Sequence, residues 1–318
     1  MDLIGQYLLF LAGLVILAVG AELMVRGATR LALSLGVSTL VVGLTVVAYG
    51  TSFPELVVAV MAAAKKAPAL VYGNVIGSNI INLSLILGFC AMLRPIPYEK
   101  GLFKRELPLL LVVYVLLLLF SMDGRLLRFE GVLLLAIFVI YIALMTQRAL
   151  RGEEQIHVAE ACPVPEKRMA SNIVGYLVML LLGFVGLYLG ARFMVDSAVT
   201  LARHWGVSER IIGLTIVAVG TSLPELASGI VASIRRQSGL VIGNLLGSNI
   251  FNILLVLGTG AAISPIGFSM GEALLDFGFM FGFTVALYPF MAAGRSLGRW
   301  SGMIFLAAYI VFLLLLIF

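Results

Sequence analysis

A stretch of fourteen residues occurs twice in this chain and decides its fold. Residues 43–56 read GLTVVAYGTSFPEL and residues 213–226 read GLTIVAVGTSLPEL, at an offset of 170 positions. The pairing continues without a gap through residues 43–88 and 213–258, where 24 of 46 aligned positions are identical. Self-similarity of this extent indicates that the chain is built from a duplicated unit.

The composition places both copies in a membrane. Of 318 residues, 62% are hydrophobic and 12% are charged, and the mean hydropathy is +1.13. Charge-free stretches recur along the chain, and most are long enough to cross ~30 Å of hydrocarbon. The net charge of +5 is typical of basic cytoplasmic loops, so nucleic acid is not an expected partner. The sequence contains no phosphate-binding loop, so we do not expect ATP hydrolysis.

The apolar segments predict an all-α membrane protein with ten transmembrane helices, arranged as two inverted five-helix repeats. The expected spans lie near residues 3–35, 38–64, 69–92, 104–121, 129–147, 173–204, 209–234, 238–263, 272–293 and 299–318. Because five is odd, the second copy enters the membrane from the opposite side. We therefore divide the chain into a first repeat (1–147), a connector (148–172) and a second repeat (173–318).

The basic residues of the loops predict the orientation of these spans. With the N-terminus outside, 13 lysines and arginines fall in inside loops and 6 in outside loops. This asymmetry favours an inner-membrane protein with both termini in the periplasm and the connector in the cytoplasm. The first span lacks the basic flank of a secretory signal, so we interpret it as a retained helix.

Two glutamates at membrane depth are the main functional candidates. Glu55 and Glu225 each follow a Gly-Thr-Ser-x-Pro sequence in the middle of an apolar span. A buried carboxylate costs several kcal/mol unless it is paired, protonated or ion-bound, and neither span has a basic residue nearby. Pro54 and Pro224 lack an N–H, so we expect broken helices that turn backbone oxygens toward a cavity at the midplane.

Hydroxyl and amide side chains accompany these glutamates at helical spacing. Each glutamate lies four residues after a threonine, and the next span of each half carries a serine and an asparagine four residues apart, so the members of each pair share a helix face. These positions are Thr51, Thr221, Ser78, Asn82, Ser248 and Asn252. Inversion of the repeats is expected to bring both clusters together.

The available ligand types predict the class of ion. Carboxylate, hydroxyl, amide and backbone oxygens suit hard cations such as Ca²⁺ and Na⁺, whereas zinc and copper prefer imidazole and thiolate. Cys90, Cys162, His157 and His204 show no metal-site spacing, so no disulfide or metal cofactor is expected. We predict Ca²⁺ bound by Glu55, Glu225, Thr51 and Thr221, with lipid, Ca²⁺ and Na⁺ as partners and no obligate protein partner.

The doubled GTSxPE and GSNIxN motifs resemble the two alpha-repeats of the sodium/calcium exchanger family, which lies in the calcium:cation antiporter superfamily. The resemblance implies a non-enzymatic antiporter of ten helices, with ions bound between the second, third, seventh and eighth spans. It also implies that the first and sixth helices slide across the remaining core to alternate access. By motif position, it implies ion ligands at Thr51, Ser52, Glu55, Ser78, Asn82, Thr221, Ser222, Glu225, Ser248 and Asn252, with backbone oxygens at Ala48 and Ala218.

Asn252 departs from the family pattern, because many members have aspartate at that position. The site then contains two carboxylates rather than three, which bears on the sodium stoichiometry and not on the site itself. Proton-coupled relatives typically have an Asn-Ala type sequence before the glutamate, whereas this chain has Thr-Ser twice. An H⁺/Ca²⁺ antiporter of the same fold stays an alternative, and a cation channel or an intramembrane enzyme is a more distant one.

Overall fold

A computed structural model of the chain describes residues 3–97, 105–150, 172–206, 218–292 and 296–317. Within these ranges the chain is almost entirely helical. Most of the connector predicted at 148–172, together with Cys162 and His157, lies outside the described residues. The same holds for residues 207–217, which contain the start of the second quoted motif.

The helices of the first half follow the predicted spans closely. Described in chain order, they are α1 (Leu3–Leu35), α2 (Thr39–Val42), α3 (Ala48–Thr51), α4 (Phe53–Ala64), α5 (Pro68–Ile81), α6 (Leu87–Leu93), α7 (Leu107–Phe120) and α8 (Arg128–Leu150). A π-helical turn joins α2 to α3 at Gly43–Val47, and another joins α5 to α6 at Asn82–Ile86.

The second half repeats this order. Its helices are α9 (Ile173–His204), α10 (Ala218–Thr221), α11 (Leu223–Ile234), α12 (Ser238–Phe251), α13 (Gly258–Ile263), α14 (Met270–Ala292) and α15 (Arg299–Ile317). A π-helical turn at Asn252–Leu257 joins α12 to α13. Four two-residue strands close the loops: β1 (Ile96–Pro97), β2 (Arg125–Leu126), β3 (Ile266–Gly267) and β4 (Ser296–Leu297).

Seven of the described helices are long and apolar enough to cross a membrane, or eight if the bent pair Thr39–Thr51 and Phe53–Ala64 is one span. Two further apolar helices, Leu107–Phe120 and Leu223–Ile234, are shorter. The prediction of an all-α membrane protein is confirmed. The count of ten spans stays a prediction. The helix Leu107–Phe120 has 14 residues and is about 21 Å long, which is shorter than the ~30 Å hydrocarbon core of a membrane.

The helices that contain the GSNIxN motifs form the centre of the molecule. In the 18-residue apolar stretch of each span, 78% of the residues are buried in Pro68–Leu93 and 89% in Ser238–Ile263, compared with 33% in α1. Large apolar side chains of α1 and α9, such as Ile4, Leu8, Val174 and Leu181, are exposed. Exposed apolar side chains on a membrane protein suit contact with lipid. The helices that contain the polar motifs are the most buried ones, so these motifs lie deep within the helix assembly.

Helices α1 and α9 cross in close backbone contact. A Cβ atom built on Gly20 would lie 2.6 Å from the Leu187 nitrogen, and one built on Gly183 would lie 2.6 Å from the Met24 nitrogen. Only glycine allows two helices to approach this closely, and small residues serve this purpose throughout membrane proteins. The two long helices therefore pack against each other as a pair.

Contacts between the halves are reciprocal. Strand β1 pairs with β4 through Ile96 and Leu297, and β2 pairs with β3 through Leu126 and Ile266. Shifting one pairing by 170 positions gives the other to within one residue. Exchanging the two halves therefore reproduces the contacts, which indicates an approximate two-fold axis through the middle of the molecule.

Candidate functional site

Both glutamates occupy the first turn of a helix that begins inside the protein. Helix α4 begins directly after Ser52, with Pro54 as its second residue and Glu55 in its first turn. Helix α11 has the same arrangement with Glu225. The chain bends by 43° between α3 and α4, as expected where proline removes a helix hydrogen bond. The predicted helix break is therefore confirmed in the first half, and α10 and α11 are likewise separated at Ser222.

The two carboxylates are almost completely enclosed. Glu55 is 0% exposed and Glu225 is 1% exposed. Each lies at the positive end of a helix dipole, which favours a negative charge there. Two enclosed carboxylates that the helix dipoles help to keep ionised make a site that attracts positive charge.

Hydroxyl groups from each half reach into the other half at this point. Ser52 Oγ donates to Glu225 Oε1 over 3.4 Å, and Thr51 Oγ1 lies 3.4 Å from Ser248 Oγ. In the related position, Ser222 Oγ donates to Ser78 Oγ over 3.4 Å. The two motifs of each half thus meet the two motifs of the other half, as the inverted duplication predicts.

Two asparagines that lie just before the GSNIxN motifs accept hydrogen bonds from the threonine hydroxyls. Thr51 Oγ1 donates to Asn244 Oδ1 over 2.9 Å, and Thr221 Oγ1 donates to Asn74 Oδ1 over 3.4 Å. Asn244 also donates to Ser228 Oγ over 3.0 Å. The equivalent of Ser228 in the first half is a valine, which cannot accept such a bond. Both threonines therefore bond to an asparagine, but a serine holds that asparagine only in the case of Asn244.

The remaining amides bind each other across the centre. Asn82 Nδ2 donates to Asn249 Oδ1 over 2.9 Å, and Asn252 Nδ2 donates to Asn79 Oδ1 over 3.0 Å. All four residues are at most 1% exposed. Because the nitrogens of Asn82 and Asn252 are used in this way, each presents its carbonyl oxygen elsewhere.

Several oxygens of this cluster are buried without a hydrogen-bond partner in the described part of the chain. They are Glu55 Oε1, Glu55 Oε2, Glu225 Oε2, Asn82 Oδ1 and Asn252 Oδ1. A buried acceptor without a donor costs roughly 1–3 kcal/mol, so a cluster of five favours a bound partner that is positively charged or supplies donors. Carboxylate and amide oxygens are ligands that hard cations prefer.

Backbone hydrogen bonds form at both helix breaks. The carbonyl oxygen of Ala48 accepts the N–H of Ser52 over 3.0 Å, and the carbonyl oxygen of Val219 accepts the N–H of Ser222 over 3.1 Å. Among the described residues, no group of three or more His, Cys, Asp or Glu side chains could hold a metal. Any cation bound here would therefore use hydroxyl and amide oxygens beside the two carboxylates.

The structure brings together the side chains that the sequence selected. Contacts join Thr51, Ser52, Ser78, Ser222, Glu225 and Ser248 across the halves, with Glu55, Asn82 and Asn252 contributing unpartnered oxygens. Sequence reasoning missed the partners that hold them, namely Asn74, Asn79, Asn244 and Asn249. A usable signal was present, because each of these asparagines recurs at the offset of 170 inside a repeated motif.

Comparison with known proteins defines the class to which this fold and site belong. The family model described as "Sodium/calcium exchanger protein" matches residues 5–147 and 175–318. A putative antiporter, CaxA of Alkalimonas amylolytica, is 39% identical over 307 residues, covering 94% of this chain and 95% of its own.

Two further relatives match over nearly their full length. The sodium/calcium exchanger MaX1 of Methanosarcina acetivorans is 30% identical, over 98% of this chain and 99% of its own. A solved structure of the sodium-calcium exchanger NCX_Mj superposes with a TM-score of 0.83 at 33% identity, covering 98% of both chains. The protein is thus a membrane antiporter and not an enzyme. It belongs to the sodium/calcium exchanger family.

Proposed function

We propose that this chain is a secondary antiporter that exchanges Ca²⁺ for Na⁺ by alternating access, with the ions bound between Glu55 and Glu225. The observation that carries the proposal is the cluster of five buried, unpartnered acceptor oxygens at two enclosed carboxylates. Acceptors alone do not distinguish a proton from a metal cation. The surrounding hydroxyl and amide oxygens favour Ca²⁺ and Na⁺, because these ions need several oxygen ligands at once.

The proposed ligands come from both halves, as the sequence analysis predicts. Glu55, Glu225, Thr51 and Thr221 would hold Ca²⁺. The wider set of cation ligands, which would complete the oxygen shell of Ca²⁺ and hold Na⁺, adds Ser52, Ser78, Asn82, Ser222, Ser248 and Asn252, and the backbone at Ala48 and Ala218. Ser52 Oγ, which donates to Glu225 in the present arrangement, would turn its lone pairs toward an arriving cation. A site made from two halves can open to one side when the halves shift.

The charge of the site supplies the coupling. Two carboxylates carry −2 when ionised, which one Ca²⁺ or two Na⁺ would neutralise. Moving an empty, doubly charged site past the apolar residues on either side would cost several kcal/mol or more. Reorientation therefore occurs readily only with ions bound, so entry of one kind of ion depends on exit of the other.

The arrangement in the membrane completes the proposal. We infer ten spans in two inverted repeats (1–147 and 173–318), with the connector 148–172 in the cytoplasm and both termini in the periplasm. The reciprocal strand pairs support the two-fold relation, and the 13-to-6 distribution of basic residues supports the orientation. An inner membrane that maintains a sodium gradient would provide the driving force.

Replacement of each glutamate by glutamine tests the site. Glu55→Gln and Glu225→Gln keep the side-chain volume and remove one charge each, so we expect sodium-driven ⁴⁵Ca²⁺ uptake into proteoliposomes to fall to background. Asp123→Asn is the matched control, because Asp123 is an exposed acid that should have no role in transport. All three proteins should keep their thermal unfolding midpoint to within a few degrees. Exchange at the wild-type rate in either glutamine variant would refute the site.

A further inference from the structure

Asn79 and Asn249 form a reciprocal pair at the centre of the molecule, where α5 crosses α12. Asn79 Nδ2 donates to the Asn249 backbone oxygen over 3.3 Å, and Asn249 Nδ2 donates to the Asn79 backbone oxygen over 3.2 Å. Both residues are 0% exposed. Neither belongs to the ligand set proposed above, yet each contacts one member of it.

The hydrogen-bond chemistry fixes the orientation of four amides in sequence. A backbone carbonyl can only accept, so each of Asn79 and Asn249 must direct its nitrogen toward the other's backbone. The side-chain oxygen of each then points the opposite way, where it meets the amide nitrogen of Asn252 or Asn82 at 3.0 and 2.9 Å. Each series of hydrogen bonds ends at an amide oxygen, Asn252 Oδ1 in one and Asn82 Oδ1 in the other. Neither oxygen has a hydrogen-bond partner in the described residues.

We propose that Asn79 and Asn249 are positioning residues that hold Asn252 and Asn82 as neutral oxygen ligands of the transported cations. The inference rests on the proposed function, since it assigns a role within that site. An unsupported amide can rotate and present its N–H groups to a cation, which repels it. Here rotation of Asn82 would place its oxygen against Asn249 Oδ1 and lose a buried hydrogen bond, so the ligand orientation is maintained.

The same contacts determine which residue type fits at the ligand positions. Asn79 Oδ1 and Asn249 Oδ1 each require a donor from the side chain at 252 or 82. An amide always provides one, whereas an ionised aspartate provides none and places oxygen against oxygen. The pair therefore favours neutral ligands at both positions, and the site keeps two carboxylates.

The two halves differ in how firmly the pair is held. Asn249 Nδ2 also donates to Tyr114 Oη over 3.0 Å, while the second acceptor of Asn79 Nδ2 among the described residues is the weaker Met280 Sδ at 4.0 Å. Tyr114 lies on α7 and is fully buried. The orientation of Asn82, which Asn249 controls, is therefore held more firmly than that of Asn252. This asymmetry provides a mild variant for the test, because Tyr114→Phe removes one hydroxyl and leaves Asn249 intact.

A crossed double-mutant cycle tests the proposal. Ca²⁺ affinity is measured by isothermal titration calorimetry on purified protein, for Asn249→Leu alone and combined with Asn82→Leu or with Asn252→Leu. Loss of an outer partner of a metal ligand typically weakens metal binding roughly 10- to 100-fold. We expect a loss in this range for Asn249→Leu in the wild type, the same loss in Asn252→Leu, and less than about a twofold change in Asn82→Leu.

Tyr114→Phe keeps the test decisive if Asn249→Leu does not fold. We expect a smaller loss of Ca²⁺ affinity, about two- to fivefold, that again disappears when Asn82 is leucine. Equal losses in the Asn82→Leu and Asn252→Leu backgrounds would show general damage to the core and overturn the positioning role. A wild-type protein that does not bind Ca²⁺ would overturn the proposed function as well, so the two failures are distinguishable.

Discussion

The amide of Asn252 does two things at once, and this limits what can replace it. Its nitrogen donates to Asn79 Oδ1 over 3.0 Å, and its oxygen is one of the unpartnered acceptors of the site. Asn82 has the same pair of roles with Asn249. Positions 252 and 82 therefore have equivalent hydrogen-bond roles in this chain.

Replacement of Asn252 by aspartate should make transport depend on pH in a new way. A protonated aspartate still donates to Asn79 and adds no charge, so flux near pH 6 should approach that of the wild type. An ionised aspartate adds a third negative charge, so in alkaline solution KM for Ca²⁺ and kcat should both fall. The measurement is sodium-driven calcium flux from pH 6 to 9, with Asn82→Asp as the matched variant. Identical profiles for wild type and Asn252→Asp would show that position 252 does not face the ions.

The sequence predicted which side chains meet at the candidate site better than it predicted the residues that hold them in place. Glu55 and Glu225 stand out because a carboxylate in an apolar span requires an explanation, and helical spacing links them to their threonines. The partners Asn79 and Asn249 act across the interface between the halves. Spacing along one helix does not reveal which side chains of two crossing helices meet, because this depends on their crossing angle and relative shift.

Glycines at the crossing of α1 and α9 set the distance between these helices. Built Cβ atoms on Gly20 and Gly190 would lie 2.6 and 2.4 Å from backbone nitrogens of the opposite helix. A backbone atom cannot turn aside as a side chain can, so any larger residue must separate the helices. By contrast, a Cβ on Gly282 of α14 meets nothing within 4 Å.

Alanine at Gly20 should therefore destabilise the protein, while alanine at Gly282 should not. Overpacking typically costs about 1–3 kcal/mol, whereas glycine-to-alanine in an open helix position gains up to about 1 kcal/mol. We expect a lower thermal unfolding midpoint for Gly20→Ala in detergent and an unchanged or higher one for Gly282→Ala. Equal midpoints for the two variants would mean that α1 and α9 are not in backbone contact.

Helix positions could be predicted from the sequence, but the local shape of the helices could only partly. The predicted span 173–204 coincides with α9, since a long apolar stretch has few alternatives to a helix in lipid. Pro54 indicated the break before Glu55. The π-helical turns at Asn82–Ile86 and Asn252–Leu257 were not predicted, because an extra residue in a helical turn has no compositional signature.

The whole molecule consists of two copies of one unit, and the five spans proposed for each copy would give the copies opposite orientations in the membrane. The duplication could be detected in the sequence because the motifs repeat without a gap. In the structure, reciprocal strand pairs link the two halves. We infer the side of the membrane on which each loop lies from the distribution of basic residues alone. Most of the connector lies outside the described residues, so its location has to be tested by labelling.

Cysteine labelling in intact cells tests the orientation. In a background without Cys90 and Cys162, a cysteine replacing Lys65, which is exposed at the end of α4, should react with a membrane-impermeant maleimide. A cysteine replacing Glu154 in the connector should react only after the cells are permeabilised. Labelling of the connector position in intact cells, with protection at position 65, would reverse the proposed topology.

Calcium flux under defined gradients tests the central claim most directly. Proteoliposomes are loaded with Na⁺ and diluted into sodium-free buffer with ⁴⁵Ca²⁺, with matched sets at equal sodium or under a pH gradient alone. The account predicts that calcium accumulates above its external concentration only with the outward sodium gradient, and not with Glu55→Gln or Glu225→Gln. Accumulation driven by the pH gradient without sodium would identify a proton-coupled exchanger, and calcium entry without any counter-ion would identify a channel; either result would contradict sodium/calcium exchange.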